Sequence, residues 1–131
     1  MKVIHQLIAY LEERGRLTPR QIEQLVAKGY VGTATVANLR SLESKIGQSF
    51  FFQVTGAVNG QLWGTNIYTS DSSLGTACVH AGLLQPGEAG VVKVTMVPAL
   101  PIFQGSMRNG VTSQPWTTGW PAAYQVELFL K

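Results

Sequence analysis

The chain is short of charge. Only 13% of its 131 residues are Asp, Glu, Lys or Arg, against 45% hydrophobic residues, where a soluble domain usually carries ~25% charge. A surface this poor in charge has to be hidden in a core or against partners, so self-association is expected. Cysteine is scarcer still. Cys78 stands alone, which leaves no internal disulfide and suits a reducing compartment, so the expected location is cytoplasmic. No run of ~18 apolar residues is present, and no membrane span is expected. The opening residues do not read as a secretory signal: His5 and Gln6 break the apolar stretch, and Glu12, Glu13 and Arg14 close it.

Groups that do chemistry are equally thin. His5 and His80 are the two histidines, and no pair of His, Cys, Asp or Glu has zinc-type spacing. No metal and no cofactor are expected. Residues 48–131 hold three carboxylates, Asp71, Glu88 and Glu127. Asp71 is explained by helix capping and Glu88 by a turn, and nothing pairs two carboxyls as glycoside cleavage requires. Cys78 and His80 sit two apart on a helix, so their side chains diverge by ~200° and cannot form a nucleophile–base pair. No catalytic residue is assigned, and the protein is read as not an enzyme.

What is present divides into two regions. Residues 1–47 carry seven Lys and Arg against four Glu, a net +3, while residues 48–131 carry three of each sign. In the first region Val3, Ile4, Leu7, Ile8 and Leu11 recur at helical spacing and paint one apolar stripe. Thr18-Pro19-Arg20-Gln21 is a helix start: Thr18 caps, Pro19 fits the first turn and Gln21 reaches back. Ile22, Leu25 and Val26 give that helix its apolar side, and Gly29 ends it. A third helix is expected over residues 35–46, carrying Val36, Leu39 and Ile46. Three short helices bury little alone, so Val3, Leu7, Leu11, Ile22, Leu25, Val36 and Leu39 form a candidate assembly face.

The second region, 48–131, reads as β-rich. Phe50-Phe51-Phe52-Gln53-Val54 and Val91-Val92-Lys93-Val94-Thr95-Met96-Val97 are strands, as is the alternating run Tyr124-Gln125-Val126-Glu127-Leu128-Phe129-Leu130. Asn59-Gly60 and Asn109-Gly110 are turn signals, and Gln85-Pro86-Gly87-Glu88 is another turn. Residues 62–68 are a further strand, leading into a helix capped by Asp71 or Ser72 and running to about Gly82, with Leu74, Ala77, Cys78 and Ala81 inward. One helix enclosed by antiparallel strands is an α+β arrangement.

The stretch over residues 63–82 also resembles the signature of the LCCL family. Tyr68, Ser72, Ala77, Val79, His80 and Gly82 match its ordered pattern, with Trp63-Gly64-Thr65 before it and Pro86-Gly87-Glu88 after it. Gly105-Ser106 and Arg108-Asn109-Gly110-Val111-Thr112-Ser113 extend the likeness, which covers about residues 49–127. The resemblance implies a central helix wrapped by β-strands, used as a binding or assembly module in larger proteins. It implies no enzymatic activity, and some members are linked to lipopolysaccharide recognition. Many members place a cysteine where this chain has Gly75 and use several cysteines in disulfides. Their absence marks this as a disulfide-free variant, expected to be bacterial or intracellular.

Candidate sites follow from these readings. Tyr68, Ser72, Val79, His80 and Gly82 form a fold signature, with His80 read as a buried histidine bonded to a backbone carbonyl. Trp116 and Trp120, in a Gly/Pro-rich loop, are a candidate ligand or interface pair together with Arg108. The leading expectation is a structural module that docks or forms a homo-oligomer through its N-terminal helices. The alternatives are a glycan or lipid-headgroup domain using Trp116, Trp120 and Arg108, and a DNA binder using a helix-turn-helix-like segment over residues 18–46. Nucleic acid is disfavoured, because Glu43 sits on the would-be recognition helix and the basic face is sparse.

Overall fold

The valine-rich run of residues 91–97 has the β-branched, alternating character that suits a strand with one face on a core. In the computed structural model, which describes residues 20, 24, 27, 31–33 and 38–130, it lies within the longest strand of a six-stranded sheet. The strands in chain order are β1 (Val31–Thr33), β2 (Ser49–Thr55), β3 (Gly64–Thr65), β4 (Ile67–Thr69), β5 (Ala89–Val97) and β8 (Ala123–Leu130). Their spatial order is β1-β2-β5-β8-β4-β3. A separate two-stranded hairpin is made by β6 (Met107–Arg108) and β7 (Val111–Thr112). The single helix among the described residues after position 38, apart from one 3₁₀ turn at Arg40–Leu42, is α1 (Leu74–His80).

Register decides which side chains face the helix. Phe50, Phe52 and Val54 on β2 lie opposite Val94, Val92 and Gly90 on β5. On the other side of β5, Val126 and Tyr124 on β8 lie opposite Val94 and Met96. These residues share one face and join Leu74, Ala77, Cys78 and Val79 of α1 in a single core with Leu62, Tyr68 and Leu84. Six of the seven residues of α1 are buried. A helix this short would not persist in water, and its stability comes from that enclosure. Burial of each large apolar side chain contributes roughly 1.5–3 kcal/mol.

Both ends of α1 are closed. Ser73 is the N-cap, and its side-chain oxygen accepts from the Thr76 amide. The cap was expected one or two residues earlier, at Asp71 or Ser72. Ser72 is instead drawn into other bonds, described below. At the far end Gly82 takes φ +81°. The Gly82 amide donates to the Val79 carbonyl and the Leu83 amide to that of Cys78, at 3.0 and 2.9 Å. This is a Schellman closure, which needs a residue tolerant of the left-handed region.

The third N-terminal helix is not found across the described residues 38–46. Asn38 and Leu39 are irregular and Arg40–Leu42 makes the single 3₁₀ turn. The reason is Leu39. Its side chain is buried in the core, and its amide donates to the Ser70 carbonyl at 2.8 Å. A residue assigned to an assembly face is therefore part of the core. Upstream, residues 31–33 pair parallel with β2, Val31 opposite Phe51. The other assembly-face residues, Val3, Leu7, Leu11, Ile22, Leu25 and Val36, lie outside the described residues, as does the first expected helix; of the second, Arg20, Gln24 and Ala27 are described and helical.

Candidate functional site

Of the signature residues, Tyr68 meets His80 at the last turn of α1, and Ser72 lies ahead of the first turn. Tyr68, from β4, brings its hydroxyl to 2.9 Å from Nδ1. Nε2 lies 3.2 Å from the Ser106 carbonyl and 3.2 Å from the Ser106 hydroxyl. Ser106 Oγ in turn meets Thr65 Oγ1, which donates to the Gln104 carbonyl. Both ring nitrogens are satisfied by the neutral tautomer with its proton on Nε2, which donates to the Ser106 carbonyl while Nδ1 accepts from Tyr68. His80 has no exposed surface. Burial holds its pKa below the usual histidine value, the Ser106 carbonyl opposes that shift, and the Arg108 charge adds to it. This is the buried, carbonyl-bonded histidine the sequence suggested.

Asn109 ties the same helix end to the β6–β7 hairpin. Its side-chain amide donates to the His80 carbonyl at 3.0 Å. Asn109 and Gly110 have φ of +55° and +78°, the paired positive values of a type I′ turn, as the Asn-Gly signal implied. Ser72 is wired just as fully. Its hydroxyl accepts from the Trp63 amide at 2.9 Å and meets Thr69 Oγ1 at 2.8 Å, and its carbonyl accepts from the Tyr124 hydroxyl. Val79 is packed in the core. Every buried side-chain nitrogen or oxygen among the described residues has a partner.

Nucleophiles fare no better. Cys78 is buried, and burial pushes its thiol up to about 12, so the reactive thiolate is essentially unpopulated at neutral pH. The described residues include no group of three His, Cys, Asp or Glu side chains able to hold a metal. No helix among them is long and apolar enough to cross a membrane.

The surface tells a different story at the tryptophan loop. Trp116 and Trp120 meet edge to face, with centroids 5.7 Å apart and planes at 87°. The Trp116 indole donates to the Gly119 carbonyl at 2.7 Å, and the Trp120 indole to Ser70 Oγ at 2.8 Å. The cation beside them is Arg40, whose guanidinium carbon sits 5.0 Å from the Trp120 ring centre. Arg40 also pairs with Glu43 at 3.5 Å, and Glu43 accepts from Ser70 Oγ. Arg108, grouped with the tryptophans on the sequence, instead donates to Asn66 Oδ1 at 2.7 Å. Sequence reasoning missed Arg40 because eighty positions separate it from Trp120, and no local pattern joins them.

A short helix is closed at both ends and buried by strands, and every buried side-chain nitrogen or oxygen among the described residues is internally bonded. The LCCL domain pattern matches residues 33–121. The chain belongs to the LCCL domain family. Over 62 residues it is 34% identical to transcriptional regulatory protein rxt3 of Schizosaccharomyces pombe, covering 44% of this chain and 18% of that protein. Over 53 residues it is 42% identical to cysteine-rich secretory protein LCCL domain-containing 2 of Homo sapiens, covering 40% of this chain and 11% of that protein. The chain thus spans less than a fifth of the length of either relative.

Proposed function

We propose that this chain is a non-catalytic interaction module. Its LCCL body is a rigid platform, and its N-terminal segment, with the stripe Val3, Leu7, Leu11, Ile22 and Leu25, docks or self-associates. The observation that supports this is the closed hydrogen bonding around His80 and Ser72, where every buried side-chain nitrogen or oxygen among the described residues already has a partner. Partners therefore have to be met at the surface. The low charge of the chain and the buried, disulfide-free Cys78 support an assembling protein in a reducing compartment such as the cytoplasm.

The test is absolute mass in solution by light scattering across a concentration series. The full chain is expected as a defined oligomer, and Leu7→Glu with Leu11→Glu is expected to reduce its mass. A chain that stays monomeric at high concentration overturns the reading.

A second reading is recognition of a glycan or lipid headgroup, favoured by the right-angled Trp116–Trp120 pair with Arg40 alongside. Both tryptophans are half-buried; aromatic faces stack on sugar rings, and a guanidinium adds an anion contact. Trp116→Ala with Trp120→Ala would then abolish binding to immobilised lipopolysaccharide or to an acidic glycan panel while the far-UV spectrum is unchanged. DNA binding through residues 18–46 loses its support, because the expected recognition helix is absent over residues 38–46 and Leu39 is in the core.

A further inference from the structure

The tryptophan corner is assembled from two distant parts of the chain. Residues 38–48 run as a strap, fixed where the Leu39 amide donates to the Ser70 carbonyl and where the Gly47 amide donates to the Met96 carbonyl, each at 2.8 Å. The 3₁₀ turn at Arg40–Leu42 lies between these two points, with Arg40 over the Trp120 ring. The base of the loop is fixed as well. The Phe103 amide donates to the Trp116 carbonyl at 2.8 Å, and the Trp116 amide to that of Phe103 at 3.0 Å. Both indole N–H groups are spent within the chain, on the Gly119 carbonyl and on Ser70 Oγ. The rings therefore offer a ligand their faces and not their donors. Arg40 stands over Trp120, so Trp116, half-buried between exposed Pro115 and exposed Thr117, is the stacking surface left to a ligand.

A guanidinium standing alone would draw an anion, but this one is already matched. Arg40 Nε lies 3.5 Å from Glu43 Oε2, and the same oxygen accepts from Ser70 Oγ. The pair carries no net charge. What it keeps is hydrogen-bonding capacity: the two outer guanidinium nitrogens of Arg40 and the Oε1 of Glu43 have no hydrogen-bond partner among the described residues. The Arg40 side chain is 53% exposed and that of Glu43 22%. Free donors thus stand beside a free acceptor. A phosphate, sulfate or carboxylate only accepts, and it would meet the Glu43 carboxylate as a like charge. A hydroxyl both donates and accepts, so two neighbouring hydroxyls of a sugar ring satisfy both members of the pair.

We infer that the Trp116–Trp120 corner recognises an uncharged oligosaccharide, with one sugar ring stacked on Trp116 and adjacent hydroxyls bonded to Arg40 and Glu43. The Trp120 ring centre is 5.7 Å from that of Trp116 and 5.0 Å from the Arg40 guanidinium carbon, a span that a short oligosaccharide bridges. The strap and the loop already hold these groups in place, so binding has little left to order. This rests on the second reading above and narrows it, from a glycan or lipid headgroup to a neutral glycan.

The experiment presents the full chain to immobilised neutral hexasaccharides of glucose, of mannose and of N-acetylglucosamine, with lipopolysaccharide and heparin as anionic probes, at low and at high salt. At least one neutral hexasaccharide is expected to bind, with an affinity that salt changes by less than about twofold, because no net charge is neutralised. Trp116→Ala removes the platform, and Arg40→Ala removes an exposed side chain while leaving the core alone; each is expected to weaken that binding at least about tenfold. Where the far-UV spectrum of W116A departs from the parent, R40A decides. Glu43→Gln leaves Arg40 unmatched and is expected to gain binding to heparin, and no gain refutes the charge matching. Lipopolysaccharide or heparin bound through Trp116, with neutral sugars ignored, overturns the neutral ligand and leaves the second reading standing. Binding to none of the probes overturns both. Neutral binding that ignores R40A and W116A overturns the site.

Discussion

Replacing Tyr68 with Phe removes one oxygen from the centre of the fold and nothing else. The ring keeps its place in the core beside Tyr124, with centroids 6.0 Å apart. What is lost is the 2.9 Å bond to His80 Nδ1. His80 has no exposed surface, so water cannot replace the donor. A buried acceptor left unpaired costs about 1–3 kcal/mol. For a chain of this length that is roughly 4 °C of Tm per kcal/mol, or about 4–12 °C in all. The pH dependence separates this from a simple packing loss. Burial depresses the His80 pKa in the folded state, while the unfolded chain protonates near ~6.5. Above that value both states are neutral and His80 contributes no pH dependence. As pH falls below it the unfolded state takes up the proton first, so stability drops until the folded-state pKa is passed. Each unit of depression corresponds to about 1.4 kcal/mol. In Tyr68→Phe the donor that held Nδ1 as an acceptor is gone, so protonation becomes easier and the acid loss shrinks. Urea unfolding at pH 8 and at steps down to pH 5 measures both effects. A variant within 0.5 kcal/mol of the parent at pH 8, with an unchanged acid slope, would refute the reasoning.

Three further outcomes follow from the same packing. Gly75→Ala should destabilise by about 1–3 kcal/mol, because its Cβ would sit 2.6 Å from the Thr55 carbonyl oxygen, a backbone atom that cannot swing aside; thermal unfolding reads it, and a neutral result means α1 does not lie that close to β2. Gly82→Ala should cost about 1–2 kcal/mol for a different reason, its left-handed φ of +81°, and here the new Cβ meets only Asn109 at an ordinary 3.4 Å. Gly82→Asn should recover part of that loss, since Asn tolerates the conformation better. Cys78, its thiol pushed up to about 12 by burial, should resist iodoacetamide at pH 8 in the folded chain and react on unfolding. Mass spectrometry showing rapid native labelling would contradict the core assignment.

Much of the β region was legible because its signals are local. The Asn109-Gly110 pair announces its own turn, and the alternation of residues 124–130 announces a strand with one buried face. Tyr68, Ser72, Val79, His80 and Gly82 were legible as a set through family resemblance, and each has a bond, a packing contact or a turn to explain it. What stayed hidden depends on distant partners. Leu39 looks like any residue of a helical stripe until the core supplies a slot for it. Residues 31–33 are too few to show a period, and their parallel partner lies twenty positions on. The capping residue moved from Asp71 or Ser72 to Ser73 because Trp63 and Thr69 claim Ser72, a competition no local pattern displays.

Gly75 shows how this chain holds its helix without the covalent links that the family resemblance implies elsewhere. Where many members carry a cysteine, the absent side chain lets the backbone at residues 55–57 lie directly on α1, and the Ala57 amide donates to the Gly75 carbonyl at 3.2 Å. A similar close approach recurs at Gly60, whose amide donates to Thr76 Oγ1 and whose Cβ position is filled by Ser73. Two glycines thus bring loop backbone against the first turn of the helix, and the Tyr68–His80–Ser106 bonds fix the last turn. Stability drawn from close packing is sensitive to single methyl groups in a way that a covalent link is not. The interior is therefore the part of this protein least free to vary. On the reading proposed above, a partner meets this chain at its surface, and the Trp116–Trp120 corner with Arg40 is the described place to test first.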